Sequence, residues 1–171
     1  MIVRRERSTD VAAARAVHAS AFEQTAGVEP AEARLLDDLR SCDEWLPALS
    51  WIGELDGVVV GHAVGSRGHV GEVRCVGVGP IGVVPRRQRV GIGSALMHAL
   101  IGAADACDEP LLCLLGDPGY YARFGFVPST ELGVHAPDPS WGEYFQALAL
   151  TAWSPAIRGR FRYAAPFDAV S

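Results

Sequence analysis

The chain has 171 residues, enough for one domain with its own core, taken here as residues 1–171. Hydrophobic residues make up 49% and charged residues 20%, a balance that excludes a disordered chain. The net charge is -5, so the chain carries no nucleic-acid footprint, and any bound anion must meet a local cluster of positive charge.

Ile2–Arg5 is a short edge-strand candidate. Ser8, Thr9 and Asp10 then offer helix caps. Val11, Ala14, Val17, Ala21 and Phe22 follow at helical spacing. A second helix is predicted from Ala31 to Leu39, with Leu35, Leu36 and Leu39 as its buried stripe and Pro47 closing the helical region. Leu49–Leu55 and Val58–Gly65 flank Asp56-Gly57, a strong hairpin signal. Val70–Val84 is extended and interrupted by Gly77 and Gly79. Gly91–Cys107 reads as a helix, Pro110–Leu115 as a buried central strand, and Pro118–Arg123 as a short helix. Phe126 begins another extended piece, and Tyr144–Leu150 and Ile157–Tyr163 close the pattern as strands. This order predicts a mixed α/β sheet of about seven strands with helices on both faces.

All fifteen basic residues are arginine, so no lysine is present for a Schiff base. Cys42, Cys75, Cys107 and Cys113 form no C-x-x-C pair and no histidine pair has metal spacing, so no metal site is expected. Arg4, Arg5, Glu6 and Arg7 come too early for a signal peptide, and the apolar runs are too short to cross a bilayer. A cytoplasmic protein with no membrane or nucleic-acid partner is expected. The expected assemblies include a homodimer.

The segment that carries chemistry starts at Ile81-Gly82-Val83-Val84-Pro85. Arg86-Arg87-Gln88-Arg89 follows, then Val90-Gly91-Ile92-Gly93-Ser94 opens a helix. Glycines 91 and 93 leave backbone N–H groups of the first turn free to face an anion, and the helix dipole and three arginines add to the attraction. A dinucleotide fold would need glycine at position 96, which is Leu96. A Walker loop would need lysine. The combination suits a pyrophosphate.

Gln88-Arg89-Val90-Gly91-Ile92-Gly93 resembles the Q/R-x-x-G-x-G/A signature of the GNAT superfamily of N-acetyltransferases. Gly79–Pro85 resembles its fourth strand, and Gly116–Phe126, with Tyr121-Ala122-Arg123-Phe124-Gly125-Phe126 at its end, the Y-x-x-x-G-F region after its fifth strand. The tail segments Phe145–Leu148, Gly159–Tyr163 and Pro166-Phe167 resemble a small-acceptor branch. The resemblance implies a GNAT fold, a mostly antiparallel sheet whose fourth and fifth strands splay apart. It also implies acetyl-CoA as co-substrate and direct acetyl transfer to a primary amine, on a small molecule or a peptide. A CoA-binding sensor without turnover is the alternative.

By resemblance, main-chain groups of Ile81, Gly82 and Val83 pair with the pantetheine arm. Amides of Arg89, Val90, Gly91, Ile92, Gly93 and Ser94 hold the pyrophosphate, with Tyr121 and Phe124 beside the cofactor. Tyr121 is expected to protonate the departing thiolate, since a phenol of pKa near 10 roughly matches the thiol. Tyr120 is its neighbour and competitor. Glu72 is the proposed base, with Glu23, Glu54 and His62 as further candidates. Cys113, in the fifth strand, would open a ping-pong route, but direct transfer is favoured. The acceptor pocket is expected from the first two helices and the tail strands, with Phe22, Trp45, Trp51, Trp141 and Tyr144 as candidates, aromatics that suit an apolar or cationic amine. Glycines 77, 79 and 82 mark a bulge in the fourth strand or a close backbone approach.

Overall fold

A computed structural model describes residues 1–170. The first strand, β1 (Ile2–Arg5), is followed by two helices, α1 (Val11–Ala21) and α2 (Ala31–Arg40). Then come three long strands, β2 (Trp45–Leu55), β3 (Val58–Val70) and β4 (Val73–Val83), and helix α3 (Ile92–Ala106). Strand β5 (Leu111–Leu115), the short helix α4 (Pro118–Tyr121) and strands β6 (Val127–Pro128), β7 (Val134–His135), β8 (Phe145–Ala149) and β9 (Gly159–Arg162) complete the chain. Among the described residues, the nine strands exceed the expected seven by two short ones, β6 and β7, each of two residues. Pieces that short carry no readable alternation.

The main sheet runs β1-β2-β3-β4-β5-β8-β6, and β9 pairs with the end of β3 and with β7. Within that path only β4 and β5 are parallel. The β2–β3 hairpin turns at Asp56 and Gly57, with φ of 51° and 77°. Two successive positive values are what a right-twisted two-residue turn requires.

Pro47 does not close a helical region. Helix α2 stops at Arg40, and β2 starts at Trp45 with Pro47 inside it. The proline is tolerated because the ladder to β3 is irregular between Trp45 and Ser50, where no backbone donor is needed.

Helices cover both faces. A Cβ added to Gly61 would strike Ile92 and Leu96 of α3, whereas one on Gly82 would strike His18 and Ala21 of α1. Gly61 lies opposite Val83 in the β3–β4 ladder and Gly82 is one residue earlier, so the two glycines face opposite sides. The core under α3 is built from Ile92, Leu96, Met97 and Leu100 against Val76, Leu112 and Leu114. Beyond it, Phe145 and Phe161 pack with Cys75, Leu111 and Cys113 on the tail side. Arg67 of β3 donates two hydrogen bonds of 2.6 Å to Glu109, tying the start of β5 to β3.

Strand β4 is irregular on both of its edges. The ladder to β3 slips between Ala63–Ile81 and Gly65–Val78, so β4 carries one extra residue around Gly79 and Pro80. This is the bulge that the glycine content suggested. The parallel ladder to β5 pairs only Val76 with Leu112 and Gly77 with Cys113. Past Gly77, β4 and β5 separate.

Candidate active site

Where β4 leaves β5, a cleft of about 560 Å³ opens. One wall is the backbone of Ile81, Gly82 and Val83, whose opposite edge pairs with β3. The far end is the loop before α3, represented by Gln88, Arg89, Gly91, Gly93 and Ser94. Tyr120, Tyr121 and Arg123 close the side formed by α4 and the turn after it.

The loop takes its shape from two left-handed residues, Arg89 (φ 62°) and Gly91 (φ 90°). Gly91 is the residue immediately before α3, so the N–H groups of Ile92, Gly93 and Ser94 have no partners within the helix. Gln88 donates from its side-chain amide to the Val83 carbonyl at 3.0 Å, folding the loop onto β4. The Ile92 side chain turns away into the core, so only its backbone is free for a ligand. Val90 is exposed and does not line the cleft. Arg86 and Arg87 point into a separate cleft beside Val58 and Val84.

Tyr121 is the hinge between two cavities. A second cleft, of about 480 Å³, is lined by Phe22, Glu32, Trp141, Tyr163 and Phe167 among others. Ile81 and Tyr121 line both clefts. Burial, helped by the neighbouring Tyr120, pushes the Tyr121 phenol up to about 12, so it stays protonated at neutral pH. Its ring packs against Gly116, where a Cβ would overlap it. Phe124 packs edge-to-face on His98 and Tyr120 and backs this wall without lining either cleft.

Some expected residues are not brought together. Glu72 sits in the turn between β3 and β4. It is ten residues from Gly82, about 30 Å along an extended chain. Glu54 is paired with Arg4 at 3.0 Å, and Glu23 accepts a hydrogen bond from the Gly27 backbone. Of the expected acceptor-pocket aromatics, Phe22 and Trp141 line the second cleft. Trp45 lies under Arg40, Trp51 packs into the core on the α3 side, and Tyr144 is exposed. Cys113 is fully buried, and burial pushes its thiol well up, away from thiolate. Tyr120, Arg123, Glu32 and Tyr163 were not foreseen as lining residues. Tyr120 had one readable signal, its adjacency to Tyr121, and Tyr163 only the tail segment in which it lies.

A parallel strand pair that parts beside a helix amino terminus is the arrangement that the resemblance to the GNAT superfamily implied. The model of the acetyltransferase (GNAT) family matches residues 14–126. A crystal structure of a GNAT family acetyltransferase from Brucella melitensis, in complex with acetyl-CoA, is 34% identical. The match covers 98% of this chain and 97% of that one, with a TM-score of 0.79. The uncharacterized N-acetyltransferase YjhQ of Escherichia coli K12 is 29% identical over 143 residues, 79% of each chain. The GNAT family N-acetyltransferase YhbS of Escherichia coli, solved with CoA, shares the fold. It has a TM-score of 0.87 at 24% identity, covering 98% of this chain and 91% of that one. The chain belongs to the GNAT family of acetyltransferases. Within it, the chain is an acetyl-CoA-dependent N-acetyltransferase.

Proposed function

We propose that the chain moves an acetyl group from acetyl-CoA to a primary amine by direct attack in a ternary complex. The observation that carries this reading is the pair of clefts meeting at Tyr121 and Ile81. The first has the chemistry of the donor. Its unpaired backbone N–H groups at the start of α3, with Arg89 and Arg123 beside them, suit a pyrophosphate. The open edge of Ile81, Gly82 and Val83 offers main-chain groups to the amides of the pantetheine arm, which lies along β4 as an added strand. A β4 amide polarises the acetyl carbonyl as negative charge develops there.

The second cleft suits the acceptor. Phe22, Trp141, Tyr163 and Phe167 give it aromatic faces, and Glu32 supplies a carboxylate. Together they favour a cationic amine on an apolar body. Attack forms the C–N bond, the C–S bond breaks, and Tyr121 gives its proton to the leaving thiolate. A covalent route through Cys113 is disfavoured because burial holds that sulfur as a thiol. Glu72, in the turn before β4, lies too far from Gly82 to act at a thioester held there.

The test is a thiol-release screen with acetyl-CoA against polyamines, amino acids, aminoglycosides and peptides, with the product checked by mass spectrometry. Release of CoA with one acceptor class and a single added acetyl group is expected. CoA should also raise the melting temperature, as linkage requires. No thermal shift with CoA would sink the reading.

A further inference from the structure

The second cleft holds one charged side chain in an otherwise apolar and aromatic lining. Glu32, in the first turn of α2, is half-buried and lines this cleft but not the first. Among the described residues of the lining there is no arginine, no histidine and no second carboxylate. The two phenols, Tyr121 and Tyr163, are both pushed up by burial and stay protonated. Glu32 makes no hydrogen bond or ion pair with another described residue, whereas Glu29 and Asp37, on either side of it in the chain, are both paired with Arg15. Tyr163 stacks on Phe167 with ring centroids 4.4 Å apart and lies 6.5 Å from Trp141, so these three rings form one continuous wall. Phe22, at the end of α1, adds a fourth aromatic face.

One nitrogen cannot satisfy both ends of this cleft. At the junction marked by Ile81 and Tyr121, the attacking nitrogen needs a free lone pair and so must be neutral. A cation paired with Glu32 must keep its proton. A monoamine held at Glu32 is therefore unreactive, and a monoamine at the junction leaves Glu32 unpaired. A second nitrogen resolves the conflict. Burying an ammonium in apolar surroundings is costly unless a counter-charge meets it, and this cleft has one carboxylate to offer. One ammonium of a diamine is compensated by Glu32. The other is not, so burial drives its proton into solvent and it reaches the thioester as the free amine. The aromatic faces take the hydrocarbon body and add their own attraction for the retained cation.

We propose that the acceptor is a diamine with an apolar body, and that Glu32 is a specificity-determining residue that holds the nitrogen that does not react. The inference rests on the transferase reading. The free amine attacks the thioester carbonyl, the C–N bond forms and the C–S bond breaks. Tyr121 gives its proton to the thiolate, and the proton lost by the attacking nitrogen replaces it, so the step neither gains nor loses a proton. The product keeps its ammonium at Glu32 and carries its amide at the junction. Turned end for end, it would set a neutral amide against Glu32. The reaction therefore stops at one acetyl group.

The test is thiol release from acetyl-CoA with p-xylylenediamine and 1,6-diaminohexane, each against its monoamine counterpart, p-methylbenzylamine and hexylamine. In the wild type, kcat/KM for at least one diamine should exceed that of its counterpart about tenfold, the scale of one charge-assisted hydrogen bond. Mass spectrometry should show one added acetyl group, with no accumulation of diacetylated product. Glu32→Gln keeps the size of the side chain and removes its charge. In that variant the diamine preference should vanish, with the loss in KM for the diamine and not in kcat. Glu32→Asp keeps the charge and should retain part of the preference. The CoA-induced thermal shift should remain in both variants, the sign that they fold. Equal kcat/KM for diamine and monoamine in the wild type would overturn the inference alone, as would no turnover of any of these amines beside a normal thermal shift with CoA. So would a preference that survives in Glu32→Gln, or a second acetyl group added as fast as the first. A fall of kcat on diamine and monoamine alike in Glu32→Gln would make Glu32 the base and also overturn it. Absence of a thermal shift with CoA in the wild type overturns the transferase reading as well.

Discussion

Tyr121 shows how far a single residue was readable. Its place in Tyr121–Phe126 pointed to a role as acid, but nothing in the sequence said that it would separate two cavities. Replacing Tyr121 with Phe should lower kcat by about a hundredfold, the usual scale for losing a positioned acid. The dissociation constant for CoA, measured by calorimetry, should stay within a factor of about two, since the ring is kept. Gly116 has no left-handed backbone to explain it, only the Tyr121 ring lying on it. Gly116→Ala should therefore push that ring aside, costing about 1–3 kcal/mol in denaturant unfolding and lowering kcat with it. His18, fully buried with its Nε2 2.8 Å from His62 Nδ1, was hidden for a different reason. On the helical stripe of α1 it looks like any partly polar position, and the polar chain it joins, through His62 and Ser50 to Glu6, comes from three other segments.

At the scale of elements, the loop before α3 was the most legible part of the chain. Its glycines, arginines and helix start lie within a few residues, so spacing alone conveys the geometry. Gly91 is the sharpest case: it sits at φ 90° in open space, with nothing nearby for a side chain to meet. Gly91→Ala should then act through backbone strain, costing about 1 kcal/mol of stability. It should also weaken CoA binding by misaligning the first-turn amides, seen as a smaller thermal shift at fixed CoA. The β2–β3 hairpin was equally legible because Asp56-Gly57 carries its own turn chemistry. The start of β2 was not. Pro47 reads as a breaker, and only the irregular ladder to β3 makes room for it. Strands β6 and β7 are held by β8 and β9 and have no local pattern of their own.

For the molecule as a whole, family and element order were readable because the motifs fall in sequence, and the first two helices and the tail were expected to build an acceptor pocket; which of their residues line the second cleft was not readable, because those segments are distant in the chain. Acid should unfold the protein through the buried polar chain of His18, His62, Ser50 and Glu6. His18 is lowered from 6.5 to about 3, so below 6.5 the unfolded chain binds a proton that the folded one refuses. Stability then falls by about 1.4 kcal/mol per pH unit for each such proton. Glu6 acts in the same direction: its contribution is present above 4.5 and is lost as pH falls towards 2. Urea midpoints measured from pH 7 to pH 4 should decline steadily, and His18→Gln should flatten part of that slope. The brevity of the β4–β5 ladder has a different consequence. Among the described residues, only two ladder pairs join β1–β4 to β5, β8 and β6, the remaining ties being side-chain packing under α3 and the Arg67–Glu109 pair. In the free protein the two halves are open to local separation, and amide hydrogens of β5 and β8 should exchange faster than those of β2 and β3. A cofactor laid into the gap would bridge both halves, so bound CoA should slow exchange in β8, which has no residue in the lining of the first cleft. Catalytic turnover would then leave a periodic trace in the breathing of the carboxy-terminal third of the chain.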